Sequence, residues 1–174
     1  IFDVPSYQRS YSWEDQQLQE LVDDLRYLPE DTSHFFGNII IDKRDAPYET
    51  DRGRRFDMYE VVDGQQRLTT ALMALHVATQ MDEVVADTVA ADNLIFPVDE
   101  RPRLMPQDQD KEFFRDSLFG AGRLACETPS QERLENAKHR FESIFEELDV
   151  RSLAERLRYD CMVNVVEIDS DSEA

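Results

Sequence analysis

The sequence predicts an α+β fold. A small mixed sheet with helices spans residues 1–80, and a mainly helical half spans 81–174 and ends in a strand. Three observations carry this. Two short runs rich in aromatic and β-branched residues, "HFFGNIIID" (34–42) and "DMYEVVD" (57–63), read as strands. Stretches with apolar residues at helical spacing lie between and after them. A last β-branched run, "CMVNVVEID" (161–169), follows the helices.

The elements follow in order. Residues 1–13, "IFDVPSYQRSYSW", lack helix signals, and Pro5 pushes Val4 toward extended geometry. "SWED" from Ser12 has capping-box spacing, with Asp in the place of Glu or Gln. The helix it starts carries Leu18, Leu21, Val22, Leu25 and Leu28 on one stripe and stops at Pro29. The loop 43–56 is polar, with Pro and Gly. After the second strand, "QQRLTTALMALHVATQ" (65–80) places Leu68, Leu72, Leu75 and Thr79 on one helical face. From Met81 the chain carries six acids and no base through residue 100, and reads as a short helix or irregular connection with "NLIF" as a candidate strand. "RLMPQDQDKEFFRDSLFG" reads as a strand end, a loop and a helix closed by Gly120. Thr128 and Pro129 suit the N-cap and first helical position. They open a helix through Leu148 with Leu134, Ala137, Phe141, Ile144, Phe145 and Leu148 on its stripe, and "VRSLAERLRYD" adds another.

The chain has 174 residues, 41% of them hydrophobic, enough for one domain, or one compact domain with an appendage. No apolar run is long enough to span a membrane and no signal peptide opens the chain, so a cytoplasmic protein is expected. It starts without Met and ends in "EIDSDSEA", and so reads as a fragment of something longer. Cys126 and Cys161 are not in a CxxC pair, and His34, His76 and His139 are scattered, which argues against a zinc site.

Net charge is −19, from 38 acids against 19 bases; only three bases are lysines, and Asp outnumbers Glu by 21 to 17. Such charge keeps a chain soluble but repels itself, and concentrated salt screens that repulsion. The composition points to a halophilic source, an archaeon living in concentrated salt. The alternative is a mesophile whose acidic face docks a basic partner.

The densest chemistry lies in "YEVVDGQQRLTTALMAL" (59–75). A helix start has unpaired N–H groups and a partial positive charge, which make it an anion site. Gly64 clears the approach, and Arg67 offers a planar fork to a phosphate. Gln65 and Gln66 donate or accept, and Thr69 and Thr70 add hydroxyls. Asp63 could cap the helix, hold a metal or orient a water. The plainer reading makes Asp63 the cap and the rest a solvated first turn. Neither a phosphate loop of the GxxxxGK[ST] type nor a GxGxxG fingerprint is present.

A second cluster, "VPSYQRSYSW", places Gln8 and Arg9 beside Tyr7, Tyr11 and Trp13. Arginine and glutamine next to aromatic faces suit a base, sugar or phosphate. The plainer reading packs the aromatics on the first helix. Both clusters carry a Gln-Arg pair at or just before a helix start.

"IFDVPSYQRSYSW", "HFFGNIII" and "YEVVDGQQRLTTALMAL" together resemble the N-terminal domain of GmrSD-type restriction endonucleases. That family was once catalogued as domain of unknown function 262 and includes SspE-like phosphorothioate-sensing defence proteins. The matching blocks are IPxYQRxYxW, FxG and DGQQRxTT. "LMPQDQDKEFFRDSL" is similar to the family's L.P...D...F stretch. The same order resembles, more distantly, the ParB/sulfiredoxin-type fold. There, Tyr7-Gln8-Arg9 stands for the first box and Gly64-Gln65-Gln66-Arg67 for the second. Gln65 replaces an acid of that fold and Gln66 an arginine, and the sulfiredoxin cysteine has no counterpart.

The resemblance implies a ParB-like domain that binds and hydrolyses nucleoside triphosphates, of the GTP, CTP or UTP type. It sits in a modification-dependent DNA restriction system used in anti-phage defence. Nuclease activity is expected only in a C-terminal HNH domain, fused or as a partner, which this chain does not carry; DNA is met through the full-length protein. The family's FExxNxxG segment after the final strand is also missing. On this reading Asp63, Arg67 and Gln66 are catalytic, with Asp63 a candidate Mg²⁺ ligand. Tyr7, Gln8, Arg9, Trp13, Gly64, Gln65, Thr69 and Thr70 bind the nucleotide. The rival from another class is a non-enzymatic DNA-binding or partner-docking module with a ParB-like shape; a third reading is a metal-dependent nuclease. The loop bases Lys43, Arg44, Arg52, Arg54 and Arg55 could meet a phosphate backbone or simply line a solvated loop.

Overall fold

The computed structural model describes residues 1–96 and 101–168. The helix and strand order is β1 (Phe2–Asp3), α1 (Asp15–Arg26), β2 (His34–Lys43), β3 (Tyr48–Glu49), β4 (Arg55–Phe56), β5 (Tyr59–Asp63), α2 (Gln65–Met81) and α3 (Glu83–Ala91). Then come β6 (Leu104–Met105), α4 (Asp108–Phe113), α5 (Pro129–Glu147), α6 (Val150–Glu155) and β7 (Cys161–Ile168). One π-helical turn, Phe114–Leu118, continues α4 and another, Arg156–Asp160, continues α6.

The mixed sheet has the order β6-β1-β5-β2-β7. β6, β1 and β5 run parallel, β2 is antiparallel to β5, and β7 is parallel to β2. The fold is α+β, as the patterning predicts. The sheet draws on both halves of the chain, since β6 and β7 flank strands from the first 63 residues. β3 and β4 form a separate hairpin inside the polar loop.

One core joins sheet and helices. Val61 and Leu104 meet Leu18, Val22, Met73, Val77, Leu134 and Phe141 in a single buried cluster. α2 is its axis and packs against α3, α5, α6 and β6. It is therefore buried on more than one side: Thr69, Thr70, Met73, Ala74, Val77 and Ala78 are buried, whereas Leu68 and Leu75 of the predicted stripe are only partly so. α1 and α5 bury the predicted stripes except at their last positions: Leu28 and Leu148 lie just past the helix ends and are only partly buried.

Two local expectations are corrected. α1 is capped at Glu14, not Ser12, because Glu14 and Gln17 form the reciprocal capping box; Ser12 is instead held by Gln66. Residues 93–96 form no strand: after α3 the backbone turns, with Asn93 in the left-handed region, and Arg103 returns to bond Ile95. The final strand ends at Ile168 in the described part; residue 169 and the acidic tail lie outside the described residues. Among the described residues no helix is long and apolar enough to cross a membrane.

Candidate functional site

The topology brings three loops to one edge. β1 runs into "VPSYQR", β5 into "DGQQR" and β6 into "PQDQD", and these strands are parallel neighbours. Their carboxyl ends therefore point the same way, the usual place for a ligand on such a sheet.

Gly64 makes the β5–α2 junction possible. It is the N-cap residue, in the left-handed region at φ +92°, and a Cβ there would lie 2.3 Å from Ile39 Cδ1. Only glycine suits both constraints. No side chain caps α2, so the cap role considered for Asp63 is not the one it takes. Asp63 ends β5, exposed, with no side-chain partner among the described residues. The first intrahelical bond runs from Leu68 N to Gly64 O (3.1 Å). The amides before it have no helical acceptor.

The two Gln-Arg clusters are in direct contact. Gln66 accepts from Ser12 N (2.8 Å) and donates to Ser10 O (3.1 Å), so its amide pairs with the 10–12 backbone much as a neighbouring strand would. Gln65 Nε2 donates to Arg9 O (3.4 Å), and Gln8 Nε2 donates to Val62 O (2.7 Å). Gln65 and Gln66 are buried. Thr69 and Thr70 are buried as well, and Thr70 exchanges a hydrogen bond with Tyr11 OH (2.8 Å) inside the core. Burial pushes the Tyr11 phenol far up, only partly offset by Thr70. Trp13 packs on the core, whereas Tyr7 is 69% exposed.

Arg67 reaches across to β2. Its Nη1 donates to Asn38 O (3.2 Å), and its guanidinium lies over Gly37, where a Cβ would come within 2.9 Å of Cζ. Gly37 has φ +109° and sits where the β2–β7 register shifts. Arg9 is exposed and has no ion-pair partner among the described residues.

Sequence reasoning leaves Gly37, Asn38, Ser10, Ser12 and Gln107 out of the site. Gly37 has a readable signal, a lone glycine inside a strand, which marks a bulge or a close approach. The roles of the others depend on partners far away in sequence and cannot be read from their own surroundings.

The family model for the GmrSD restriction endonuclease N-terminal domain matches residues 1–174, the whole chain. The chain belongs to this family. Its place is thus in a restriction system, whose function concerns DNA and a nuclease partner domain. No curated protein matches it. The three blocks that carry the resemblance all touch: Gln66 holds the Tyr7–Trp13 segment, and Arg67 occupies the seat made by Gly37.

Proposed function

We propose that this domain binds a nucleoside triphosphate at the start of α2 and hydrolyses it, as the regulatory domain of a modification-dependent restriction protein. One observation carries the reading. An uncapped helix start, entered through a left-handed glycine, is flanked by Arg67 and by a clamped loop bearing an exposed, unpaired Arg9. In a chain of net charge −19, cations left without acids beside free amides favour an anionic ligand.

The residues divide the work. The first-turn amides and Arg67 bind phosphates, and Arg67 counters the charge that builds during phosphoryl transfer. Arg9 adds charge from the β1 loop, with Gln8 and Gln65 setting its backbone. Tyr7, the open ring, stacks on the base, while Trp13 borders the site from the core. Gln66, with both ends of its amide engaged, serves by holding the loop; Thr69 and Thr70 support it from below. Asp63 orients the attacking water. Among the described residues no three His, Cys, Asp or Glu side chains gather to hold a metal. Asp63 thus fits Mg²⁺ as a lone carboxylate, the phosphates and waters completing the shell. When bound, Mg²⁺ would neutralise phosphate charge. Contact with DNA and an HNH nuclease is assigned to the full-length system.

The DNA-binding alternative would draw on the bases of the loop 43–56. Three of its five candidate bases are already engaged: Lys43 with Asp57, Arg44 with Glu60 and Arg55 with Glu49. A thermal-shift screen with GTP, CTP, UTP and ATP plus Mg²⁺ decides. Stabilisation by a triphosphate supports the proposal; a shift with DNA alone supports the alternative. Arg67→Ala is expected to lower phosphate release about 100-fold or more while the circular-dichroism melt stays cooperative. Unchanged turnover removes Arg67 from the mechanism.

A further inference from the structure

The β6 loop and the first turn of α4 that it leads into, residues 106–110 and together called the β6 loop below, touch the site without belonging to either Gln-Arg cluster. Gln109 Nε2 donates to Ser10 Oγ (2.5 Å), and Ser10 Oγ donates to Gln107 Oε1 (3.1 Å). Ser10 is therefore a hub, held by the β6 loop through its hydroxyl and by Gln66 through its carbonyl. It directly follows Arg9, whose own carbonyl accepts from Gln65.

Two further observations single out this loop. Gln107 is only 7% exposed, and its Nε2 is buried with no partner among the described residues. It lines a small cavity of about 10 Å³ with Arg9, Gln65, Gln66 and Thr69. Packing alone disfavours a buried, unpaired amide donor. The loop is also anchored from behind. Asp110, fully buried, accepts from Ser130 Oγ (2.7 Å) and Thr128 Oγ1 (3.4 Å) at the start of α5, and Gln131 Nε2 donates to Gln109 O (2.9 Å). A continuous line of hydrogen bonds thus joins the α5 N-terminus to the residue beside Arg9.

We propose that Gln107 and Gln109 are positioning residues that act through Ser10 to set the place of Arg9. They let the helical half of the chain govern the phosphate-facing side of the site. This rests on the triphosphate reading for its consequence, though not for its geometry. Arg9 is exposed on a loop, and fixing its backbone beforehand lowers the ordering cost of its binding an anion. The amide of Gln109 and the hydroxyl of Ser10 provide that fixing.

The test uses Ser10→Ala and Gln109→Ala, with Ser10→Thr as the variant that keeps the hydroxyl. Gln109 is exposed and Ser10 partly so, hence both replacements leave the core intact. Two readouts are taken on the whole chain. The first is the rate of tryptic cleavage after Arg9, followed by mass spectrometry; it needs no ligand. Gln109→Ala removes one hydrogen bond and is expected to speed it about fivefold; Ser10→Ala removes two and is expected to speed it at least as much, and Ser10→Thr is expected to restore the wild-type rate. The second is the GTP dissociation constant by calorimetry with Mg²⁺. It is expected to rise about fivefold in Gln109→Ala and to stay unchanged when the same substitution is made on an Arg9→Ala background. If the wild-type chain binds no triphosphate, the nucleotide reading falls, and the cleavage rates alone judge the positioning. Cleavage after Arg9 that is the same in wild type and both alanine variants overturns the proposal. So does a Gln109→Ala effect on GTP that persists in full without Arg9.

Discussion

Gln66 shows how far a residue's role departs from its address. Its position in the first turn of a helix suggests a solvated amide ready for a ligand. Yet it is buried, with donor and acceptor both paired to backbone 54 and 56 residues earlier in the chain. Arg67, its neighbour, keeps a guanidinium toward β2 because residue 37 has no side chain. His76 is a third case, an ordinary histidine by spacing. It stacks on Phe119 at 4.4 Å, with Gln80 Nε2 3.3 Å from its Nε2, and burial, aided by Lys138, lowers its pKa to about 4. An unfolded histidine titrates near 6.5, so the unfolded chain binds the extra proton first. The His76 contribution is complete above about pH 6.5 and is lost as pH falls toward 4, by about 3 kcal/mol in all. Comparing the melting of wild type and His76→Gln between pH 7 and 4.5 isolates it. A difference between the two that does not change with pH would contradict the assignment.

At the scale of elements, helix ends were legible where a single local signal is strong. Thr128 and Pro129 open α5 as expected, with Thr128 Oγ1 accepting from Gln131 N (3.2 Å). Thr128→Ala is expected to cost about 1 kcal/mol for the cap, and more because Asp110 loses a donor. A urea melt measures it, and Thr128→Ser, which keeps the hydroxyl, is expected to lose little. Where a distant contact intervenes, local reading falters. Ser12 suits a cap by residue type, yet Gln66 holds its amide and Glu14, closed by Gln17, starts the helix instead. β6 is a strand of two residues at the predicted strand end, and what places it in the sheet is that Phe2 and Val4 donate to Arg103 and Met105. The π-helical turns after α4 and α6 have no signature in composition.

For the whole molecule, charge is the dominant property. Several of the described cations pair with acids, as in Arg101 with Asp3, Arg151 with Asp82 and Arg158 with Asp92, but the acids outnumber the bases two to one. If the surplus is an adaptation to concentrated salt, raising KCl from about 0.1 M to about 3 M raises the melting temperature markedly by screening repulsion. An equal melting temperature at both ends removes the halophilic reading and favours a basic partner.

The sequence by itself determined the α+β class, the long strands β2 and β5, the stripes of α1 and α5, and the two Gln-Arg segments as the places to look. These are properties of neighbours along the chain: periodicity, caps and the freedom of glycine. Only the tertiary structure decided that β6 and β7 complete the sheet, that the two segments clasp each other, and that the β6 loop holds Ser10. Those outcomes depend on contacts between residues 54 to 126 positions apart, whose hydrogen bonds leave no periodic trace in either partner alone.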